Sequence, residues 1–297
     1  MTKIMSFNIF TFARKINRPL LLDGAMGSLL QQKGIKSEGE LWTAKANLKN
    51  PEVVYDIHLS YIKAGADIIT TNTFRTNPVA VNSQSKIKFE KLVKASVQLA
   101  KDAAKGQNVL IAGSNAPAED CYQVERRISK KELERNHKRH IDELTKNECD
   151  FVLNETQSHF DEIKIICDYC YSKNVPFVIS LLVNEKLTLL SGENILEVLK
   201  YLLNRSPLCI GFNCITPKVF RKIFFKLNLD YNWGMYLNLG GGKYHDKKFN
   251  TSLSPINYAK IITNYLNERP SFVGGCCGSN PNHIKKLRQV LDGKLNN

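Results

Sequence analysis

The sequence predicts an α/β fold, a (β/α)8 TIM barrel, on three observations. Short apolar runs alternate with helical patterns along the whole chain, the runs number eight, and polar residues gather at the C-terminal end of run after run. The chain's 297 residues suit one such barrel, which needs about 250 or more.

Residues 19–27 read as strand one, closing on Asp23 and a glycine turn. Residues 51–64 carry Val53, Val54, Ile57, Tyr61 and Ile62 at helical spacing and stop at Gly65. Strand two is 67–72, and a helix over 86–105 leads to strand three at 109–114. A charged helix over 129–146 precedes strand four, 150–156, which ends in a carboxylate, and a helix over 161–172 follows it. Strand five (175–182), a helix (193–203), strand six (208–214) and a helix (217–226) continue the pattern. Strand seven (234–239), a helix (255–266) and strand eight (271–275) complete it. Ser279 or Asn280 caps a last helix with Pro281 in its first turn.

Residues 1–18 hold an apolar patch at 4–13 among Lys3, Arg14, Lys15 and Arg18, with no acid before Asp23. A transit peptide has that charge profile, but Ser6, Asn8 and Thr11 interrupt the patch and no clean cleavage site follows. The expectation is a lead-in segment under a barrel domain of residues 19–297.

Composition excludes several classes. Apolar content of 43% and charged content of 24% are those of an ordinary globular protein. No apolar stretch reaches the ~20 residues of a bilayer span, so no membrane is expected as partner. The net charge of +14 would suit an anionic partner. The lysines are scattered, however, without interleaved aromatics, so nucleic acid is not expected and the charge reads as a solvated surface. Eight cysteines without a dense framework fit a reducing cytosol and a cytoplasmic protein. Cys167 and Cys170 form a CxxC inside a helix, where i and i+3 share a face, and no second CxxC accompanies them.

The chain is organised around Ser271-Phe272-Val273-Gly274-Gly275-Cys276-Cys277-Gly278. Adjacent cysteines are ordinarily two small buried hydrophobes. A disulfide between neighbours is disfavoured, because an ordinary bridge needs more widely spaced Cα atoms. The other reading is a soft metal site, which requires a ligand from elsewhere. In a TIM barrel the C-terminal strand ends share one rim, where the active site is built. Asp23, Thr71, Asn72, Ser114, Glu155, Asn213, Cys214, Cys276 and Cys277 all fall at such ends. Cys214 on strand six thus joins Cys276 and Cys277 on strand eight, making three thiolates with an open fourth position, the pattern of a catalytic zinc site. Zinc so held is a weak Lewis acid towards water. Its better use is to bind a thiol and present it as a thiolate, which attacks a methyl group bearing a good leaving group.

These motifs resemble the homocysteine S-methyltransferase family: Asp23-Gly24-Ala25-Met26-Gly27, the 64–74 stretch ending Thr70-Thr71-Asn72-Thr73-Phe74, Asn154-Glu155-Thr156, Gly211-Phe212-Asn213-Cys214 and Gly274-Gly275-Cys276-Cys277-Gly278. The likeness runs from about Leu20 to Val290. It implies that Cys214, Cys276 and Cys277 bind Zn2+, with the homocysteine sulfur in fourth place. It implies Glu155 and Asp23 near the amino acid end of homocysteine, with Thr71 and Ser114 as further polar contacts. Trp42 matches an aromatic on the methyl-donor side, where a cationic donor would meet its ring. The expected partners are homocysteine and a small methyl donor, in a monomer or small homo-oligomer forming methionine.

The resemblance leaves the donor open. Relatives using betaine carry tyrosines where this chain has Arg75 and Thr156, which favours a sulfonium donor, S-methylmethionine or S-adenosylmethionine. Arg75 reads as an exposed loop arginine or as a partner for a donor carboxylate. Relatives using S-methylmethionine have a longer glycine-and-tyrosine loop after strand three, and after strand seven a proline-asparagine pair and a tryptophan. Here those regions are residues 114–122 and 237–244, with Phe249 near the tryptophan's place. Gly240-Gly241-Gly242 lacks the lysine-serine of a phosphate loop. Two other classes stay open: a homocysteine-binding subunit serving a separate methylcobalamin protein, and a non-enzymatic zinc or thiol sensor. Against a purely structural site stands the missing fourth protein ligand, since His58, His137, His140 and His159 fall on or near helices, where surface histidines are usual.

Overall fold

The computed structural model describes residues 8–241 and 250–293. Gly242, Phe249 and residues 1–7 lie outside the described residues. Eight strands form one sheet: β1 Leu20–Leu21, β2 Ile68–Thr70, β3 Leu110–Asn115, β4 Phe151–Gln157, β5 Phe177–Leu181, β6 Cys209–Asn213, β7 Trp233–Leu237 and β8 Phe272–Gly275. Their order is β1-β8-β7-β6-β5-β4-β3-β2, all pairs parallel. A parallel bridge between Leu22 and Ile68 joins the two ends of the sheet, and the Asp23 amide donates to the Ile68 carbonyl at 2.9 Å. The (β/α)8 barrel is therefore present.

Helices follow the strands in alternation. After α1 (Ile9–Lys15) come α2 (Pro51–Lys63), α3 (Phe89–Ala104), α4 (Lys130–Lys146), α5 (Phe160–Lys173), α6 (Ile195–Leu203), α7 (Pro217–Lys226), α8 (Pro255–Thr263) and α9 (Pro281–Leu291). Local chemistry sets where they begin. Thr216, Ser254 and Asn280 each cap a helix whose first residue is proline, and Ser129 forms a capping box with Glu132. The helix read as 255–266 ends earlier, at Thr263, and a separate 3-10 turn occupies Leu266–Glu268.

Burial on both faces explains the near-continuous apolar strands. One core lies between sheet and helices, with Leu21, Ile69, Ile179 and Trp233 among its members, and another fills the barrel. Cys167 and Cys170 are fully buried on α5 in the outer core. Phe10 on α1 enters the inner core, edge-on to Phe151 at 5.5 Å and to Phe272 at 5.9 Å between ring centroids. Arg14 anchors the same helix through the carbonyls of Tyr231 and Leu229, at 2.5 and 2.8 Å, where β7 begins. The N-terminal mouth of the barrel is thus stoppered, and the opposite mouth is left for a site.

Candidate active site

The pocket lies at the C-terminal mouth, and the side chains expected at the rim line it: Asp23, Trp42, Thr71, Ser114, Glu155, Cys214, Cys276 and Cys277. Cys214 follows the last residue of β6, and Cys276 and Cys277 follow β8. The Cys214 and Cys277 sulfurs are 3.9 Å apart, and all three Sγ atoms lie within 4.8 Å of one another. A tetrahedral ion with metal–sulfur bonds of ~2.3 Å requires sulfurs about 3.8 Å apart, so the trio can hold a metal ion. No other His, Cys, Asp or Glu group of three or more meets this way among the described residues.

Backbone geometry explains how β8 delivers two adjacent sulfurs to one point. Gly278 has φ +82°, and a Cβ there would come 2.5 Å from the Gly240 nitrogen, so only glycine turns the chain directly after Cys277. Cys214 itself sits at φ 56° and Thr156 at φ 60°, rare for a non-glycine residue and rarer for a β-branched one. Asn213 holds the second of these: its Oδ1 accepts from the Thr156 amide at 2.9 Å and its Nδ2 donates to Thr156 Oγ1 at 2.8 Å. The register between β4 and β5 shifts at this point, between Asn154 and Gln157. That irregularity accompanies the turn of Glu155 into the pocket.

Of the three thiols, Cys214 is the one its surroundings favour as the thiolate. Hydrogen bonds from Cys276, then from Cys277, hold its thiol well below the usual range against the opposing effect of burial, with Tyr122 assisting. The Cys276 and Cys277 thiols are pushed up, first by their hydrogen bonding to Cys214. Tyr122, whose hydroxyl lies 3.1 Å from Cys214 Sγ, is pushed up by the charge on Cys214 and then by burial, so it keeps its proton and donates. This contact was not legible in the sequence, because Tyr122 stands in an irregular loop with no period to mark it.

Two carboxyl groups line the pocket together with the sulfurs. Glu155 is 9% exposed; Ser114 Oγ donates to its Oε1, and Tyr236 donates to its Oε2 at 3.5 Å. Burial pushes its carboxyl up to about 7, with the Cys214 charge adding to the rise and Ser114 and Tyr236 opposing it. Asp23 is pushed up to about 8, again chiefly by burial, while the Thr70 amide and hydroxyl, at 2.8 and 2.9 Å, hold it back. Both acids thus stand ready to ionise when a cation enters. Thr71 faces the pocket, but its hydroxyl is engaged: it accepts from the Ser114 amide at 3.1 Å and meets Thr73 Oγ1 at 2.7 Å. Its place is one step behind Ser114. Tyr236 could have been found from the period of two along β7, since it pairs in register with Gly274 and Asn213 at the rim.

Aromatic rings form another part of the lining. Trp42 is 9% exposed, edge-on to Phe74 at 5.9 Å, with its Nε1 donating to Gln31 at 3.0 Å. A Cβ on Gly27 would sit 2.3 Å from the Trp42 ring, so the ring rests directly on that glycine. Arg75 is not an exposed loop arginine but 6% exposed. It pairs with Glu40 Oε2 at 2.5 Å and donates to the carbonyls of Glu40 and Glu119, both at 2.7 Å. These contacts hold its guanidinium on the two loops, and the residue also lines the pocket. The histidines also differ from expectation: His58, His137 and His140 are fully buried. His140 is hydrogen-bonded to Asn115 and Thr76, both at 2.9 Å, because α4 packs its histidines inward against β3 and the loop after β2.

The chain is similar to known proteins in sequence and in fold. The chain is 25% identical to "Homocysteine S-methyltransferase" of Escherichia coli strain K12, over 91% of this chain and 94% of that protein. It is 21% identical to "Homocysteine S-methyltransferase 2" of Arabidopsis thaliana, over 96% and 97% of the two chains. In fold it is similar to the metallated form of the homocysteine methyltransferase MmuM from Escherichia coli. The TM-score is 0.79 at 22% identity, over 95% of this chain and 100% of that one. The sequence model for homocysteine S-methyltransferase matches residues 20–291, and the chain belongs to that family of methyl-transferring enzymes.

Proposed function

We propose that the protein makes methionine by zinc-dependent transfer of a methyl group from a small sulfonium donor, S-methylmethionine or S-adenosylmethionine, to homocysteine. The observation that carries this reading is the convergence of three sulfurs within 4.8 Å of one another in a pocket that two buried carboxyl groups also line. Cys214, Cys276 and Cys277 would hold the zinc. When bound there, zinc would take up the substrate sulfur and lower its pKa, so that a thiolate is present near neutral pH.

The chain's own groups do the rest. Glu155 receives the homocysteine ammonium, its oxygens set by Ser114 and Tyr236, and Asp23 adds negative charge on the same side. Thr71 fixes the Ser114 backbone. Trp42 and Phe74 offer ring faces to a sulfonium, which is attracted to them as any cation is. The substrate sulfur attacks the methyl carbon in line, the carbon–sulfonium bond breaks, and its electron pair stays on the donor sulfur as a neutral thioether. The thiol proton is released to solvent. Eight free cysteines support a reducing, cytoplasmic setting, and no helix among the described residues is long and apolar enough to cross a membrane.

The test measures metal content and methionine formation on one purified sample. Homocysteine is offered with S-methylmethionine, S-adenosylmethionine, betaine or methylcobalamin, with Cys276→Ala alongside. About one zinc per chain, turnover on a sulfonium and loss of both in the variant are expected. Turnover on methylcobalamin alone would move the protein to the subunit role. Freshly reduced protein that binds no zinc would refute the three-thiolate mechanism.

A further inference from the structure

A second cluster of charge is centred on a buried carboxylate, and none of its members lines the pocket. Glu162, near the start of α5, is 1% exposed. Its Oε1 accepts from His137 Nε2 on α4 at 2.6 Å and from the Ala118 amide at 2.8 Å, while its Oε2 lies 3.4 Å from the Arg126 guanidinium. Arg126 also pairs with Asp161 at 2.7 Å. A buried carboxylate persists only when paired and hydrogen-bonded. Burial pushes Glu162 up, but the His137 hydrogen bond, the charges of His137 and Arg126 and the Ala118 amide outweigh it, leaving the carboxyl at about 2.

Two of these partners, Ala118 and Arg126, belong to one loop, the irregular connection between Asn115 and Lys130. Between the two grips lie Asp120, Cys121 and Tyr122, all of which line the pocket. Asp120 Oδ1 accepts from the Tyr122 amide at 2.9 Å, a turn that aims the Tyr122 hydroxyl at Cys214. From the other side Arg75 donates to the Glu119 carbonyl at 2.7 Å. With no helix or strand of its own, the loop takes its shape from these side chains, and such segments open readily when grips are lost.

We propose that Glu162 is a positioning residue which, through His137, Arg126 and the Ala118 amide, latches the 116–128 loop so that Tyr122 walls the pocket beside Cys214. The latch itself is independent of the reaction. Its effect on turnover rests on the function proposed above.

Two readouts test it on Glu162→Gln, which keeps the side chain's shape but removes its charge. The first needs no turnover: trypsin nicking of the folded protein at the exposed Arg127 inside the loop. It should accelerate about tenfold or more, with other sites unchanged, because cleavage follows the population of the opened segment. The second is steady-state kinetics in a double-mutant cycle with Tyr122→Phe: Glu162→Gln should lower kcat/KM about fivefold or more in the wild-type background and less than about twofold in the Tyr122→Phe background. Unchanged nicking, nicking spread over the whole chain, or fully additive effects of the two substitutions would overturn the latch. Should Glu162→Gln fail to fold, Arg126→Gln, which leaves the buried Glu162–His137 contact in place, carries the same readouts. If the wild type turns over no donor at all, the nicking decides alone: loop-confined acceleration supports the latch and its absence overturns it.

Discussion

Replacing Glu155 by glutamine separates recognition from stability, because the two should move in opposite directions. The carboxyl is 9% exposed and touched by Ser114 and Tyr236. An ammonium reaching it would form a buried, hydrogen-bonded charge pair, and removing one partner of such a pair costs about 2–5 kcal/mol. Homocysteine affinity should therefore fall by about 30-fold to several thousand-fold. Folding should not suffer, since burial already pushes the carboxyl up to about 7 and the neutral amide escapes that penalty. The assay compares homocysteine with 4-mercaptobutanoate, the same thiol without its ammonium, and records melting on the same samples. Wild type should prefer homocysteine strongly, and Glu155→Gln should lose most of that preference with its melting temperature held or raised. Equal losses on both thiols, or homocysteine affinity within about threefold of wild type, would refute the assignment of Glu155 to the ammonium.

Two further outcomes follow from the same pocket. Gly27→Ala places a methyl 2.3 Å from the Trp42 ring. The ring must shift, with a loss of about 1–3 kcal/mol in stability and a higher KM for the methyl donor but not for homocysteine. Thermal melting and steady-state kinetics check both halves. The second concerns pH. Asp23 is raised from 3.8 to about 8 in the folded protein, so between those values the native state binds the proton that the unfolded state has released. Its favourable contribution is complete below about pH 4 and is lost as pH rises toward 8. Denaturant titrations of metal-free protein should show stability falling less steeply over this window in Asp23→Asn than in wild type. Some slope should remain from Glu155, and identical slopes would contradict the raised value.

The element order was legible because each barrel strand is a short apolar run and several helices open on chemistry written locally, such as Thr216-Pro217, Ser254-Pro255 and Asn280-Pro281. The cysteine trio was legible too. Residues just past β6 and β8 must share one rim once eight parallel strands close, so Cys214, Cys276 and Cys277 were bound to meet. Sequence patterns of this kind report which face of an element is apolar and where it stops. They carry no information on which polar side chains find one another across the fold.

That second kind of fact belongs to tertiary structure alone. Nothing along the chain marks the Tyr122 hydroxyl as a partner of Cys214, 92 positions away. Nor does it show that Arg75 is buried on Glu40 and Glu119, or that the Thr71 hydroxyl accepts from the Ser114 amide. The helical pattern around His137 and His140 was read as a surface, yet both rings are buried, because a histidine on an amphipathic helix is tolerated inside wherever loops and neighbouring strands supply donors and acceptors. The sequence by itself determined the barrel and the sulfur cluster, since both follow from local periodicity and closure. Only the folded chain decided which groups tune, gate and brace that cluster, since those contacts join loops whose course no local pattern dictates.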